Sequence, residues 1–159
     1  MAASFTAPGT GLDLDADPFP EFPAPDSLAP WTNHDHESFE FRTAQTPQAG
    51  FRMPYECWFR CTADLPDNPL LHAAVLTYIS DISSGLIALE GADGHGGPSL
   101  DHALWFHRPA RLDQWTWQGL IPHTASAGRG LYTGVVYSAA GARLATIAQE
   151  TLFRKPRQP

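Results

Sequence analysis

Cysteine is scarce, cations are absent from the first forty residues, and no apolar run is long enough to span a bilayer. Each shortage removes a class of protein. The two cysteines, Cys57 and Cys61, sit in a stretch that reads as strand, where four residues of rise hold their Cα atoms roughly 13 Å apart. They cannot bridge each other there. The N-terminus has neither the charged start nor the apolar stretch of a signal peptide, so the expected setting is a reducing cytoplasm with no membrane partner. The missing cations account for the formal net charge of −7, because eight of the seventeen acids precede the first arginine, Arg42. Beyond residue 40 the remaining nine acids nearly cancel ten basic side chains. No basic stripe is left to neutralise a run of phosphates, and no nucleic-acid partner is expected.

What is present is enough for one core. With 159 residues and 43% hydrophobic content the chain fits a single domain. Residues 1–36 carry Pro8, Pro18, Pro20, Pro23, Pro25 and Pro30 among Gly, Ser and Asp, a composition that supports neither a helix nor a regular apolar face. The expected division is a Pro-rich acidic leader over 1–36, disordered or extended, and a folded domain over 37–159. Phe5, Phe19, Phe22 and Trp31 leave a second option for the leader, that part of it lies in a groove on the domain or on a partner. The string NHDHE, Asn33 to Glu37, pairs two histidines with no third ligand nearby, so no metal is assigned to it.

From Ser38 the texture changes. SFEFRT alternates strictly and YECWFRCTADL is aromatic-rich, both strand signatures. Asp67 or Asn68 then caps a helix with Pro69 in its first turn, where the missing N–H is no loss. The helix that follows is apolar on almost every face and is expected to be wrapped by protein on most sides. GADGHGGP, residues 91–98, reads as a mobile loop. Three strand-like runs follow: Ser99 to His107, Leu112 to Pro122, and a hairpin of GLYTGVVYS and RLATIAQETLFRK joined by AAGA. One buried helix followed by antiparallel strands implies an α+β fold, a curved sheet around the helix.

The densest chemistry lies in SLDHALWFHRP, residues 99–109. In a regular strand Ser99, Asp101, Ala103, Trp105 and His107 share one face and Leu100, His102, Leu104 and Phe106 the other. His102 and His107 then cannot share a metal, and the adjacent Asp101 and His102 cannot act as a dyad with Ser99. Outside this string two polar residues stand among apolar neighbours. Asp81, at the tail of the helix, faces desolvation and the negative end of the helix dipole, both of which raise a carboxyl pKa toward that of a general base; the alternative is a solvated helix end. Gln149 shares a strand face with Ala145, Ile147, Thr151 and Phe153, where a buried amide needs partners in a neighbouring strand or in a site.

YISDISSGL, SLDHALWFHRP and ATIAQETLFR together resemble the C-terminal half of the acyl-CoA thioesterase II family, with ASAGRGLYTGVVYSAAGARLATIAQE also close to its pattern. The similarity runs from about Ser38 to Arg154. It implies a hot-dog fold, with a long helix wrapped by a curved antiparallel sheet, and hydrolysis of acyl thioesters without metal or other cofactor. Carried over residue by residue, the catalytic positions are Asp81, Ser99 and Gln149, with Ser99 standing where the family has Thr but keeping a hydroxyl. The resemblance implies that Asp81 deprotonates a water, that Ser99 and Gln149 hold this water in line with the thioester carbonyl, and that a backbone N–H stabilises the oxyanion. Asp101, His102 and His107 are expected to serve structure. For Arg108 a structural role competes with one in substrate binding, and Arg108, Arg111 and Arg129 are the candidate contacts for coenzyme A phosphates.

Two departures from the family shape the functional expectations. Members carry two fused hot-dog halves and this chain one, so a homo-oligomer or a second hot-dog chain is expected as partner, because a lone unit exposes a sheet edge and part of its helix. ISSGLIALEGADGHGGP, after Asp81, has smaller, more flexible residues than the family, which implies an altered acyl pocket or a changed substrate. The expected function is hydrolysis of acyl-CoA or acyl-carrier thioesters by an Asp-activated water. The alternative is a non-catalytic acyl-binding or scaffold subunit paired with another chain.

Overall fold

The computed structural model describes residues 3, 4, 6, 9–32, 35–46 and 53–155; Phe5, Pro8, Asn33 and His34, named above, lie outside the described residues. Seven strands form one antiparallel sheet: β1 (Ala29–Trp31), β2 (Phe39–Thr43), β3 (Glu56–Cys61), β4 (Ser99–Phe106), β5 (Thr116–Ser126), β6 (Arg129–Ser138) and β7 (Arg143–Leu152). Their order across the sheet is β1-β2-β3-β5-β6-β7-β4. Among the described residues one α-helix, α1 (Pro69–Ser80), and two short 3-10 turns, Pro25–Ser27 and Gly85–Ala88, complete it. The α+β class expected from the sequence is what the structure has.

Local signals explain most of these boundaries. Asn68 caps α1, its side-chain oxygen accepting from the N–H groups of Leu70 and Leu71 at 3.0 and 3.4 Å, with Pro69 following in the first turn. The β5–β6 hairpin turns on Ala127 and Gly128, both at positive φ (50° and 74°), the pairing that matches the twist of two antiparallel strands. The run expected as a strand from Leu112 begins only at Thr116. Arg111 and Asp113 form an ion pair at 2.8 Å, and Gln114 N–H bonds to Arg111 C=O, so these residues close a turn.

One face of the sheet and α1 share the main core, built on Phe41, Phe59, Leu76, Ile79, Leu120, Tyr132, Val136 and Ile147 among others. His72 is buried with them, its Nδ1 accepting from Leu112 N–H at 3.1 Å. The helix is not wrapped on most sides as its composition suggested. Leu70, Ala74, Thr77 and Tyr78 are exposed and fall on one stripe of the helix, with Leu70 69% and Tyr78 54% accessible. Cys57 and Cys61 are free and buried in β3, and burial pushes the Cys57 thiol up from its usual range. Among the described residues no helix is long and apolar enough to cross a membrane.

The opposite face carries a second apolar layer, Trp58, Trp117 and Tyr137, which lie side by side across β3, β5 and β6. Residues of the Pro-rich segment lie on it. Phe19 meets Tyr137, Trp58 and Trp117 at ring-centroid distances of 5.2, 6.0 and 6.0 Å, Phe22 meets Trp117 at 5.4 Å, and Pro23 C=O accepts from the Trp58 indole N–H at 2.8 Å. Four of the early acids find cations from later in the chain. Arg108 binds Asp13 and Asp15, Arg143 binds Asp17, and Arg42 and Arg60 flank Glu40, holding the carboxyls of Asp15 and Glu40 below their usual range. Phe19→Ala is expected to lower stability by about 2 kcal/mol through lost apolar area and aromatic contacts, with tryptophan emission moving to the red. Urea unfolding followed by fluorescence checks both.

Candidate active site

Asp81 ends α1 as its C-cap, at φ −92° and ψ −4°, one residue beyond the last helical turn. A carboxylate there meets the negative end of the helix dipole and needs donors from elsewhere. The sheet supplies them. Ser99 Oγ donates to Asp81 Oδ1 at 2.7 Å, and Gln149 Nε2 donates to the same oxygen at 2.8 Å and to Ser99 Oγ at 2.6 Å. Three side chains separated by up to 68 positions thus close one small hydrogen-bonded ring.

The ring depends on an irregularity in β4. Ser99 pairs with Thr151 of β7, but Asp101 pairs with Glu150, so Leu100 is an extra residue without a partner. Such a bulge reverses the alternation of faces downstream. His102 consequently stands opposite Gln149, on the same face as Ser99, which corrects the regular-strand expectation that put them on opposite faces. Asp101 and His102 still point apart, as adjacent strand residues must.

His102 joins the network from β4. Its Nδ1 lies 2.5 Å from Gln149 Oε1 and 4.0 Å from Asp81 Oδ1, and its Nε2 lies 2.9 Å from the hydroxyl of Ser80, the last residue of α1. Nothing in a local pattern of residues 99–109 reveals the bulge that turns His102 toward Gln149. Tyr132, opposite Gln149 on β6, lies beneath the ring with its hydroxyl donating to Ser83 C=O at 2.8 Å. Burial, and secondarily the charge of Asp81, raise its phenol above the usual range.

The ring is half open to solvent. The Asp81 side chain is 47% accessible. All its contacts with described donors fall on Oδ1, which leaves Oδ2 able to accept from a solvent molecule. Ser99 Oγ, with its proton given to Asp81 and one lone pair taken by Gln149, keeps one lone pair free. The first part of the segment after Asp81 packs down, with Leu86 and Ile87 buried and Leu86 seated against Gly130, where a Cβ would collide with it, while most of residues 88–98 is exposed.

The three arginines are dispersed. Arg108 follows β4 at the end away from Ser99 and is held by Asp13, Asp15 and the Arg143 C=O. Arg111 pairs with Asp113 and Asp67. Arg129 opens β6 opposite Leu152, at the Ser99 end of the sheet, with Glu150 at 3.5 Å. Near that end a shallow cavity of about 210 Å³ is lined by Leu89, Ala92, His95, Ala125 and Phe153 among others.

Comparison with known proteins places the chain in a family. Residues 13–153 match the family described as acyl-CoA thioesterase C-terminal domain. Acyl-CoA thioesterase 2 of Haemophilus influenzae is 33% identical over 126 residues, covering 73% of this chain and 44% of that protein. The crystal structure of acyl-CoA thioesterase II TesB2 from Mycobacterium marinum superimposes with a TM-score of 0.74 at 30% identity, over 93% of this chain and 60% of the other. A conserved protein with a hot dog fold from Alicyclobacillus acidocaldarius matches in fold, with a TM-score of 0.65 at 16% identity, over 99% of this chain and 60% of its own. The chain therefore spans less than two thirds of each of these relatives. It has the hot-dog fold, and it belongs to the acyl-CoA thioesterase family, matching that family's C-terminal domain.

Proposed function

We propose that the chain hydrolyses acyl-CoA thioesters with a water held between Asp81 Oδ2 and the Ser99 hydroxyl. The observation that carries this reading is the convergence of Ser99 and Gln149 on the single oxygen Oδ1, which fixes the carboxylate and leaves its other oxygen as the base. Water would donate one proton to Oδ2 and the other to the free lone pair of Ser99 Oγ, pointing its own lone pair at the substrate. As its oxygen bonds to the thioester carbonyl carbon, the proton passes to Asp81. Collapse of the tetrahedral adduct breaks the C–S bond, and Asp81 returns the proton to the departing thiolate. Ser99 and Gln149 orient the base more than the water, since their donors are already engaged.

For the coenzyme A phosphates we favour Arg129, which is exposed and lies at the Ser99 end of the sheet. Arg129 meets one carboxylate, Glu150 at 3.5 Å, whereas a phosphate reaching Arg108 or Arg111 would have to displace two aspartates from each. An acyl-carrier thioester is the other substrate of the same chemistry. The cavity is smaller than the roughly 300–1,000 Å³ usual for ligand sites, and the exposed stripe of α1 lies open. We therefore infer that a second hot-dog unit, a copy or a separate chain, completes the acyl site. The cytoplasm is the proposed setting, in keeping with two unbridged buried thiols.

Asp81→Asn should lower kcat about 10²–10⁴-fold with the fold intact, read by thiol-trapping dye across a panel of acyl-CoA thioesters. Wild-type turnover in that variant would overturn the mechanism, and binding of thioester by the native protein without thiol release would favour the acyl-binding subunit instead. Gln149→Leu removes a donor from Asp81 and from Ser99 and leaves His102 Nδ1 without its acceptor, and should cost about 1–3 kcal/mol in urea unfolding as well as lowering kcat. Light scattering of the purified chain should give at least twice its 17.4 kDa mass if copies pair, and the monomer mass if the partner is a different chain.

A further inference from the structure

Gln149 can satisfy its neighbours in only one orientation. Both hydrogens of its Nε2 are in use, one on Asp81 Oδ1 at 2.8 Å and one on Ser99 Oγ at 2.6 Å. Turning the amide over would set its oxygen against the Asp81 carboxylate, acceptor against acceptor. Oε1 must therefore face His102, and because it can only accept, the ring nitrogen 2.5 Å away must carry the proton. The imidazole is also held from behind. Nε2, the acceptor in this tautomer, lies 2.9 Å from the hydroxyl of Ser80, which is fully buried and shares its one proton between Nε2 and the Thr77 C=O at 3.0 Å. The ring is thus clamped between the end of α1 and β7, with Asp81 the charged group nearest to it, at 4.0 Å from Nδ1.

We infer that His102 is a positioning residue for thioester hydrolysis: its Nδ1–H holds the Gln149 amide in the one orientation that directs two donors at Asp81 and Ser99. The inference rests on the hydrolytic reading for its kinetic consequence, though not for the hydrogen bond itself. Without the Nδ1–H, Oε1 loses the donor that holds it, and the amide is anchored at its Nε2 end alone. Gln149 can then tilt on that anchor, and the carboxylate is no longer fixed in the alignment that leaves Oδ2 facing the water. The effect belongs to the chemical step, since no atom of His102 needs to touch substrate.

Two variants and one spectrum test this. His102→Leu keeps an apolar side chain of comparable reach without a donor, and should lower kcat about ten- to hundred-fold with KM little changed. His102→Asn retains an N–H donor near the Nδ1 position and should restore most of that loss. Wild-type kcat in His102→Leu overturns the inference, as does a folded His102→Asn that is as impaired as His102→Leu. Independently of activity, ¹⁵N-histidine spectra of the wild-type protein at mildly alkaline pH should give His102 as the Nδ1–H tautomer, the minor form of free imidazole, and Gln149→Leu should release it. A wild-type Nε2–H tautomer overturns the inference whether or not the variants fold. If the tautomer is found and no thioester is hydrolysed, the hydrolytic reading fails while the hydrogen bond stands.

Discussion

A carboxylate at the C-terminal end of a helix is in the wrong place electrostatically, and Asp81 is kept there by donors from two strands far away in sequence. Ser99 and Gln149 offset the helix dipole at Oδ1, and they can do so only if β4 and β7 pair in one register. The bulge at Leu100 is what makes that register serve the site, because it brings Ser99 and His102 to the same face as Gln149. Helix end, bulge and ladder therefore form one unit. A slip of one residue in β4 would turn both Ser99 and His102 away.

The rest of the molecule holds this unit in place from two sides. Beneath it, Tyr132 and Ser83 tie β6 to the segment after α1, and Ser83 is itself bonded to the carbonyls of Met53 and Pro54. On the far face, the Trp58, Trp117 and Tyr137 layer would be a water-exposed apolar patch if residues 19–28 did not cover it. The charge imbalance of the chain has the same geometry. Acids at positions 13, 15 and 17 reach the guanidinium groups of Arg108 and Arg143 at the end of the sheet remote from Asp81, so these arginines hold the N-terminal segment down.

Among the described residues, the stripe of α1 through Leu70 and Tyr78 is uncovered, and so is the edge strand β4, with Leu100, Trp105 and Phe106 about half exposed. An edge strand with large apolar side chains invites pairing. Both surfaces adjoin elements that carry site residues, α1 ending at Asp81 and β4 beginning at Ser99. Whatever covers them bears directly on the site.

Several features were readable directly from residue order because their causes are local. Asn68 and Pro69 mark the helix start through side-chain capping and a dispensable N–H, the spacing of Cys57 and Cys61 in an extended strand forbids a bridge, and alternation in residues 143–153 puts Gln149 on the buried face. The grouping of Asp81, Ser99 and Gln149 was readable only through family resemblance. β1 escaped notice because three residues containing Pro30 carry no strand pattern of their own and pair only because β2 offers a free edge. The place of His102 was decided by tertiary structure alone. One unpartnered residue reverses every later side chain in a strand, and whether that residue exists depends on how β4 lines up against β7, an energy shared between chain segments and written in neither.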